Sequence, residues 1–285
     1  MKFSPLFHLA TLAFLIAAAP ITQAEIPIKS GDKVAFLGDS ITEQGKSDPG
    51  GYVNLVSSAL AANGLKIEVI GAGISGNKSN QMLERLERDV LSKKPQWMML
   101  SCGVNDVWHG ENGVPLDAYK KNITRITEQA QAAGVKVVIL TSTMIGEDQP
   151  NPSNQKLIPY NEFLRTLAKE KNYLLADLNA AMQQALPEVN IPGKEVLTSD
   201  GVHMIFPGNL MMATGIIKSL GFNAEEIGKA QEAWLDLPNT CALKFEAKFS
   251  QREMRQLEKT TAARGSSAQK SLNESLQKTI DSLKK

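Results

Sequence analysis

Lys33-Val34-Ala35-Phe36-Leu37-Gly38-Asp39-Ser40 is a short apolar run that stops at a glycine, an acid and a hydroxyl. It predicts a strand buried on both faces, ending in a turn that presents Ser40. Four further runs of this kind follow: Lys66 to Gly71, Gln96 to Ser101, Val135 to Thr141 and Tyr173 to Asp177. Between them, Tyr52 to Asn63, Asn80 to Ser92, Leu116 to Ala133 and Asn154 to Lys171 place apolar residues three and four apart, as amphipathic helices do. The alternation predicts an α/β fold, a five-stranded parallel sheet covered by helices on both faces. A last helix, about Gly208 to Leu220, is expected to close the domain.

Composition narrows the function classes. The chain has 285 residues, 42% of them hydrophobic, enough to bury a substantial core. Thirty-one basic residues against 30 acidic ones leave a formal charge of +1, so no bulk electrostatic attraction draws it to nucleic acid. Aromatic residues, at 6%, are too sparse for a base-stacking platform. Lys2, the apolar stretch Leu9 to Pro20 and the small residues around Thr22-Gln23-Ala24 read as a secretory signal over residues 1–24. The apolar stretch is shorter than the roughly 20 residues that span a bilayer. A secreted or periplasmic chain starting near Glu25, with no transmembrane segment, is therefore expected. Cys102, at the end of an apolar run, and Cys241 read as free thiols rather than a pair. With His109 and His203 as the only histidines after the leader, and no zinc-like spacing, no metal site is expected.

The near-neutral total hides a division. Residues 238–285 carry ten Lys/Arg and five Asp/Glu, whereas residues 25–237 are net acidic. Leu272, Leu276, Ile280 and Leu283 form a stripe at helical spacing, so the basic extension is expected to end in an amphipathic helix. Its own acidic body, an anionic polysaccharide and a membrane surface are the candidate contacts.

Four short segments carry chemistry. Ser40 closes the first strand, where open α/β sheets place their ligands. Gly71-Ala-Gly-Ile-Ser-Gly76 matches the spacing of a dinucleotide fingerprint, but Ser101 and Cys102 stand where the fingerprint wants an acid. Ser75 and Lys78 match S-x-x-K, with no K-T-G partner in the chain. Asp200-Gly-Val-His203 can bring a carboxylate to the imidazole Nδ1, holding the tautomer in which Nε2 takes a serine proton. Asp106-Val-Trp-His109 has the same spacing and is a rival dyad.

Taken together, Gly38-Asp39-Ser40, Gly76 within Ile74-Ser75-Gly76-Asn77, Gly103-x-Asn105-Asp106 and Asp200-x-x-His203 resemble the four blocks of the SGNH, or GDSL, hydrolases, in order, over roughly residues 33 to 220. The resemblance implies a flavodoxin-like three-layer α/β/α sandwich over residues 25–237, with residues 238–285 as a helical extension outside the family core. It implies a metal-free, cofactor-free serine ester hydrolase. Ser40 would be the nucleophile, His203 the base and Asp200 its orienting acid. The N–H groups of Ser40 and Gly76 and the amide of Asn105 would form the oxyanion hole. It favours His203 over His109 as base and places His109 and Trp108 along the substrate cleft. Trp108 and Tyr52 are candidates for a pocket lining, with core packing the alternative for both; Trp97 reads as core. Many family members follow the catalytic histidine with proline, whereas Met204 stands here and Pro207-Gly208-Asn209 come slightly later. Sequons begin at Asn77, Asn122 and Asn273, and a glycan on Asn77 would crowd the oxyanion hole. The expected substrate is a small-molecule or glycan acyl ester, short-chain acetyl esters of polysaccharide leading. Lysophospholipid or thioester hydrolysis, O-acyl transfer and a noncatalytic carbohydrate-binding role stay open.

Overall fold

Val34 to Leu37 are all buried and paired with a strand on each side, which makes this first strand an interior strand of the sheet. The structure, a computed structural model, describes residues 26–189, 194–237 and 248–283. The expected signal over 1–24 and Cys241 lie outside them. In chain order the elements are β1 (Lys33–Gly38), α1 (Ser40–Ser47), α2 (Tyr52–Ala62), β2 (Glu68–Gly73), α3 (Ser79–Asp89), β3 (Trp97–Ser101), the short α4 (Val104–Trp108), α5 (Leu116–Ala132), β4 (Lys136–Leu140), α6 (Pro152–Lys171), β5 (Leu174–Ala176), α7 (Leu178–Val189), α8 (Phe206–Ser219) and α9 (Ala224–Leu235). A second unit, after residue 240, holds α10 (Gln251–Ala262) and α11 (Ala268–Leu283).

All five strands are parallel, in the order β2-β1-β3-β4-β5, the doubly wound order of the flavodoxin-like fold. The chain steps one way from β1 to β2 and the other way from β2 to β3. Right-handed crossovers therefore send helices to opposite faces. On one face α3 packs against α5 and α5 against α6; on the other α2 packs against α8 and α9. Phe36, Leu37, Met98, Met99, Val138 and Ile139 fill the space between the layers, all at most 1% exposed. Burying each side chain of this size is worth about 1.5–3 kcal/mol.

Three expectations are corrected. Only β1, β3 and β4 are buried along almost their whole length. β2 and β5 are edge strands, and β2 alternates, with Glu68 and Gly71 exposed and Ile70 and Ala72 buried. β2 also runs two residues later than its apolar pattern, because its ladder with β1 continues through Gly71 to Gly73. Finally, α8 does not close the body. α9 follows it and lays Ala230 and Trp234 against α2, the Trp234 indole donating to Leu55 O at 2.9 Å.

In the second unit, α10 starts on a reciprocal cap between Ser250 and Glu253, and α11 carries the Leu272, Leu276, Ile280 and Leu283 stripe.

Candidate active site

Asp39 explains why the chain turns straight from β1 into a helix that periodicity does not reveal. Its carboxylate accepts the Ile41 N–H at 3.0 Å and caps α1, which makes Ser40 the first helical residue. N–H groups in a first helical turn have no helical carbonyl to meet, so the Ser40 amide sits at the positive end of α1 beside its own hydroxyl. Ser40 thus stands at the carboxyl end of β1, where the strand order reverses between β2 and β3. Open α/β sheets bind their ligands at such a crevice.

His203 arrives from 163 residues away. Its Nε2 lies 2.9 Å from Ser40 Oγ and its Nδ1 2.7 Å from Asp200 Oδ2. The Asp200–His203 turn builds itself: Asp200 Oδ1 accepts the N–H groups of Val202 and His203, and a bridge between Thr198 and Met204 closes its base. Burial would raise the Asp200 carboxyl, but the His203 amide and imidazole outweigh it and hold the group below the usual carboxylate range. It stays ionised to face the ring.

Two side chains that sequence reasoning missed pin this turn. Glu147, in the loop after β4, accepts the N–H groups of Val196, Leu197 and Thr198 and the Thr198 hydroxyl. Asn209 takes the Tyr52 N–H at 3.0 Å and returns its amide to Met204 O. Glu147 lies 49 to 51 residues from its partners and Asn209 lies 157 from Tyr52; an acid inside the otherwise apolar Met144-Ile-Gly-Glu147 stretch is the only local signal.

Gly76 has φ +75°, a conformation open to glycine and costly for other residues, in the loop after β2. Glu43 of α1 holds that loop by accepting the N–H and hydroxyl of Ser75. Asn105, buried in α4, donates from Nδ2 to Asn77 O at 3.2 Å. Gly103, with φ +136°, precedes it; a Cβ there would collide with the Ser142 hydroxyl, so α4 can sit this close to β4 only behind a glycine.

The rival dyad does not form. Asp106 is buried and spends its oxygens on the Ser79 N–H and hydroxyl, while His109 Nε2 lies 3.1 Å from Asn105 Oδ1. Trp108, 45% exposed, places its ring edge-on to the His203 imidazole with centroids 6.3 Å apart. Tyr52 is core instead, buried with its hydroxyl on Thr42 Oγ1, and Trp97 is core as expected. The S-x-x-K pair separates: Ser75 faces Glu43 and Lys78 Nζ donates to Asn112 O. Cys102 is a buried free thiol whose pKa burial pushes up. Among the described residues no group of three or more His, Cys, Asp or Glu could hold a metal ion, and no helix is long and apolar enough to cross a membrane.

Beneath the site lies Arg85, 6% exposed on the inner face of α3. It donates to Gly38 O, Ala72 O and Asn77 Oδ1 and pairs with Asp89. One guanidinium thereby joins the ends of β1 and β2 to the loop that meets Asn105. Behind Ser40, burial pushes the Asp39 carboxyl up to about 6, with Ile41 N–H opposing and the nearby Asp106 charge adding to the rise.

The family model for GDSL-like lipase/acylhydrolases matches residues 36–205. An acetylxylan esterase of Geobacillus stearothermophilus is 29% identical over 214 residues, 68% of this chain and 96% of that protein. Among solved structures, the acetyl xylan esterase AlAXEase superposes with a TM-score of 0.62 at 36% identity, covering 66% of this chain and 98% of its own. The esterase Axe2 of Geobacillus stearothermophilus does so with a TM-score of 0.63 at 30% identity, covering 69% and 97%. Two solved variants of Axe2 described as catalytic mutants replace a serine and an aspartate with alanine. The chain belongs to the GDSL-like lipase/acylhydrolase family and is a carboxylic ester hydrolase.

Proposed function

We propose that this protein removes short acyl groups, acetyl above all, from carbohydrate esters through an acyl-enzyme on Ser40. The observation that carries the reading is the line Ser40 Oγ, His203 Nε2, His203 Nδ1, Asp200 Oδ2, two hydrogen bonds of 2.9 and 2.7 Å. Ser40 Oγ attacks the ester carbonyl as its proton passes to His203 Nε2, and Asp200 steadies the imidazolium that forms. The C=O electron pair moves onto oxygen, where the N–H groups of Ser40 and Gly76 and the Asn105 amide receive it. Donors fixed in advance at that charge are worth about 3 kcal/mol each. The tetrahedral species collapses, the imidazolium protonates the leaving alcohol, and water repeats the sequence to free the acid. No step calls for a metal.

The exposed Trp108 indole beside His203 suits the apolar face of a sugar ring, and the acetylxylan esterases among the relatives support the acetyl and carbohydrate assignment. On this reading residues 1–24 export the chain, residues 25–237 carry the reaction, and residues 238–285 are an accessory basic extension. Labelling by a fluorophosphonate tests the chemistry: wild type takes the probe and Ser40→Ala does not, whereas equal labelling of both would remove Ser40 as nucleophile. A panel of acetylated xylo-oligosaccharides, lysophospholipids, thioesters and aryl esters tests the substrate. Preference for the phospholipid or thioester would overturn the carbohydrate assignment.

A further inference from the structure

His109 stands one helical turn beyond Asn105, and the geometry defines what its ring does there. The Asn77 carbonyl can only accept, so the Asn105 atom facing it is Nδ2 and the atom facing His109 is Oδ1. Oδ1 in turn can only accept. The His109 Nε2 that meets it at 3.1 Å therefore carries a proton, in the neutral ring as the Nε2–H tautomer and in the imidazolium alike.

We propose that His109 is a positioning residue for the oxyanion hole, acting through Asn105. This rests on the reading of Asn105 as an oxyanion donor. Asn105 has two amide protons, and Asn77 O engages one; the other is left for the substrate oxygen. Clamped between Asn77 O and His109 Nε2–H, the amide has no freedom to rotate that proton away. The His109 bond also draws electron density toward Oδ1 and makes Nδ2–H a stronger donor when negative charge develops. The chain His109 N–H, Asn105 C=O, Asn105 N–H, substrate oxygen thus polarises in one direction. Asp106, which shares the spacing of a base dyad with His109, is committed to Ser79, so no carboxylate from α4 prepares this ring to abstract a proton.

A double-mutant cycle on the full chain, read as kcat and KM on one soluble acetyl ester, tests this. His109→Ala is expected to lower kcat about tenfold with KM and the thermal midpoint unchanged, because the lost bond matters only when charge develops and the ring is exposed. His109→Gln, whose amide can also donate to Oδ1, is expected to recover most of that loss. In Asn105→Ala, already about a hundredfold slower, adding His109→Ala is expected to change kcat less than twofold. An undiminished tenfold loss in that background, or a loss seen chiefly in KM, would show that His109 acts on the substrate directly and overturn the proposal. Wild-type turnover by Asn105→Ala would instead remove the oxyanion reading of Asn105, and the role of His109 with it.

Discussion

Glu147 Oε1 accepts both the backbone N–H and the side-chain hydroxyl of Thr198, at 2.7 and 2.8 Å, across 51 residues of chain. Thr198 pairs with Met204 across the turn that carries Asp200 and His203, so one nearly buried carboxylate sets where the imidazole stands. Burial by itself would raise the Glu147 carboxyl, but the N–H groups of Val196, Leu197 and Thr198 and the Thr198 hydroxyl outweigh it and hold it below the ordinary range.

Glu147→Gln turns one acceptor oxygen into an amide facing backbone donors. The expected result is a loss of about 2 kcal/mol in urea unfolding at pH 7 and a lower kcat, from a displaced His203, with fluorophosphonate labelling slowed in parallel. Because the folded-state pKa lies below the unfolded one, this stabilisation is present above the ordinary glutamate range and fades as pH falls through the folded value. The difference between wild type and variant is therefore expected to shrink in acid.

Asp39 has the opposite sign. With its folded pKa at about 6, the native state binds more protons than the unfolded chain between roughly pH 4 and 6, so its contribution to stability falls as pH rises through that window. Asp39→Asn keeps an acceptor for Ile41 N–H and removes the charge. Thermal unfolding is expected to show no gain at pH 4 and up to about 2 kcal/mol at pH 7.5.

Arg85→Met leaves Gly38 O, Ala72 O and Asn77 Oδ1 without their buried donor, and Asp89 without its i,i+4 partner. About 3 kcal/mol of stability is expected to go, measured by denaturant unfolding, and kcat to fall more than KM rises, because the loop from Gly76 to Asn77 loses its anchor.

Ending the chain at residue 237 tests the extension. Every side chain placed in or behind the site lies between Asp39 and Asn209. Turnover of a soluble ester is expected to match the full chain, and a tenfold loss would show that the basic unit takes part in the reaction.

The meeting of Ser40, His203 and Asp200 was legible because each belongs to a short block of the family pattern, and Asp200 meets His203 within one turn. The strands were legible where both faces are covered; β2 was misplaced by two residues because an edge strand alternates and its glycines look like a stop. α1 was missed because Gly38-Asp39-Ser40 reads as a turn, while Asp39 is in fact the cap that starts a helix. Arg85 and Asn209 carry no local pattern, and Glu147 shows only as an acid closing an apolar stretch. Their roles exist only against carbonyls and amides that other parts of the chain deliver.

By itself the sequence determined the layers and the list of candidate site groups, since apolar periodicity chooses which face of an element is buried and side-chain chemistry is a local property. Which histidine meets Ser40, and which acid meets which histidine, depended on tertiary structure. Asp106 and Asp200 stand at identical spacing from a histidine. One is drawn to Ser79 in a buried pocket and the other is left facing its ring at the surface. Hydrogen-bond competition inside the fold made that choice, because a buried carboxylate goes to the donors that surround it and not to those nearest in sequence.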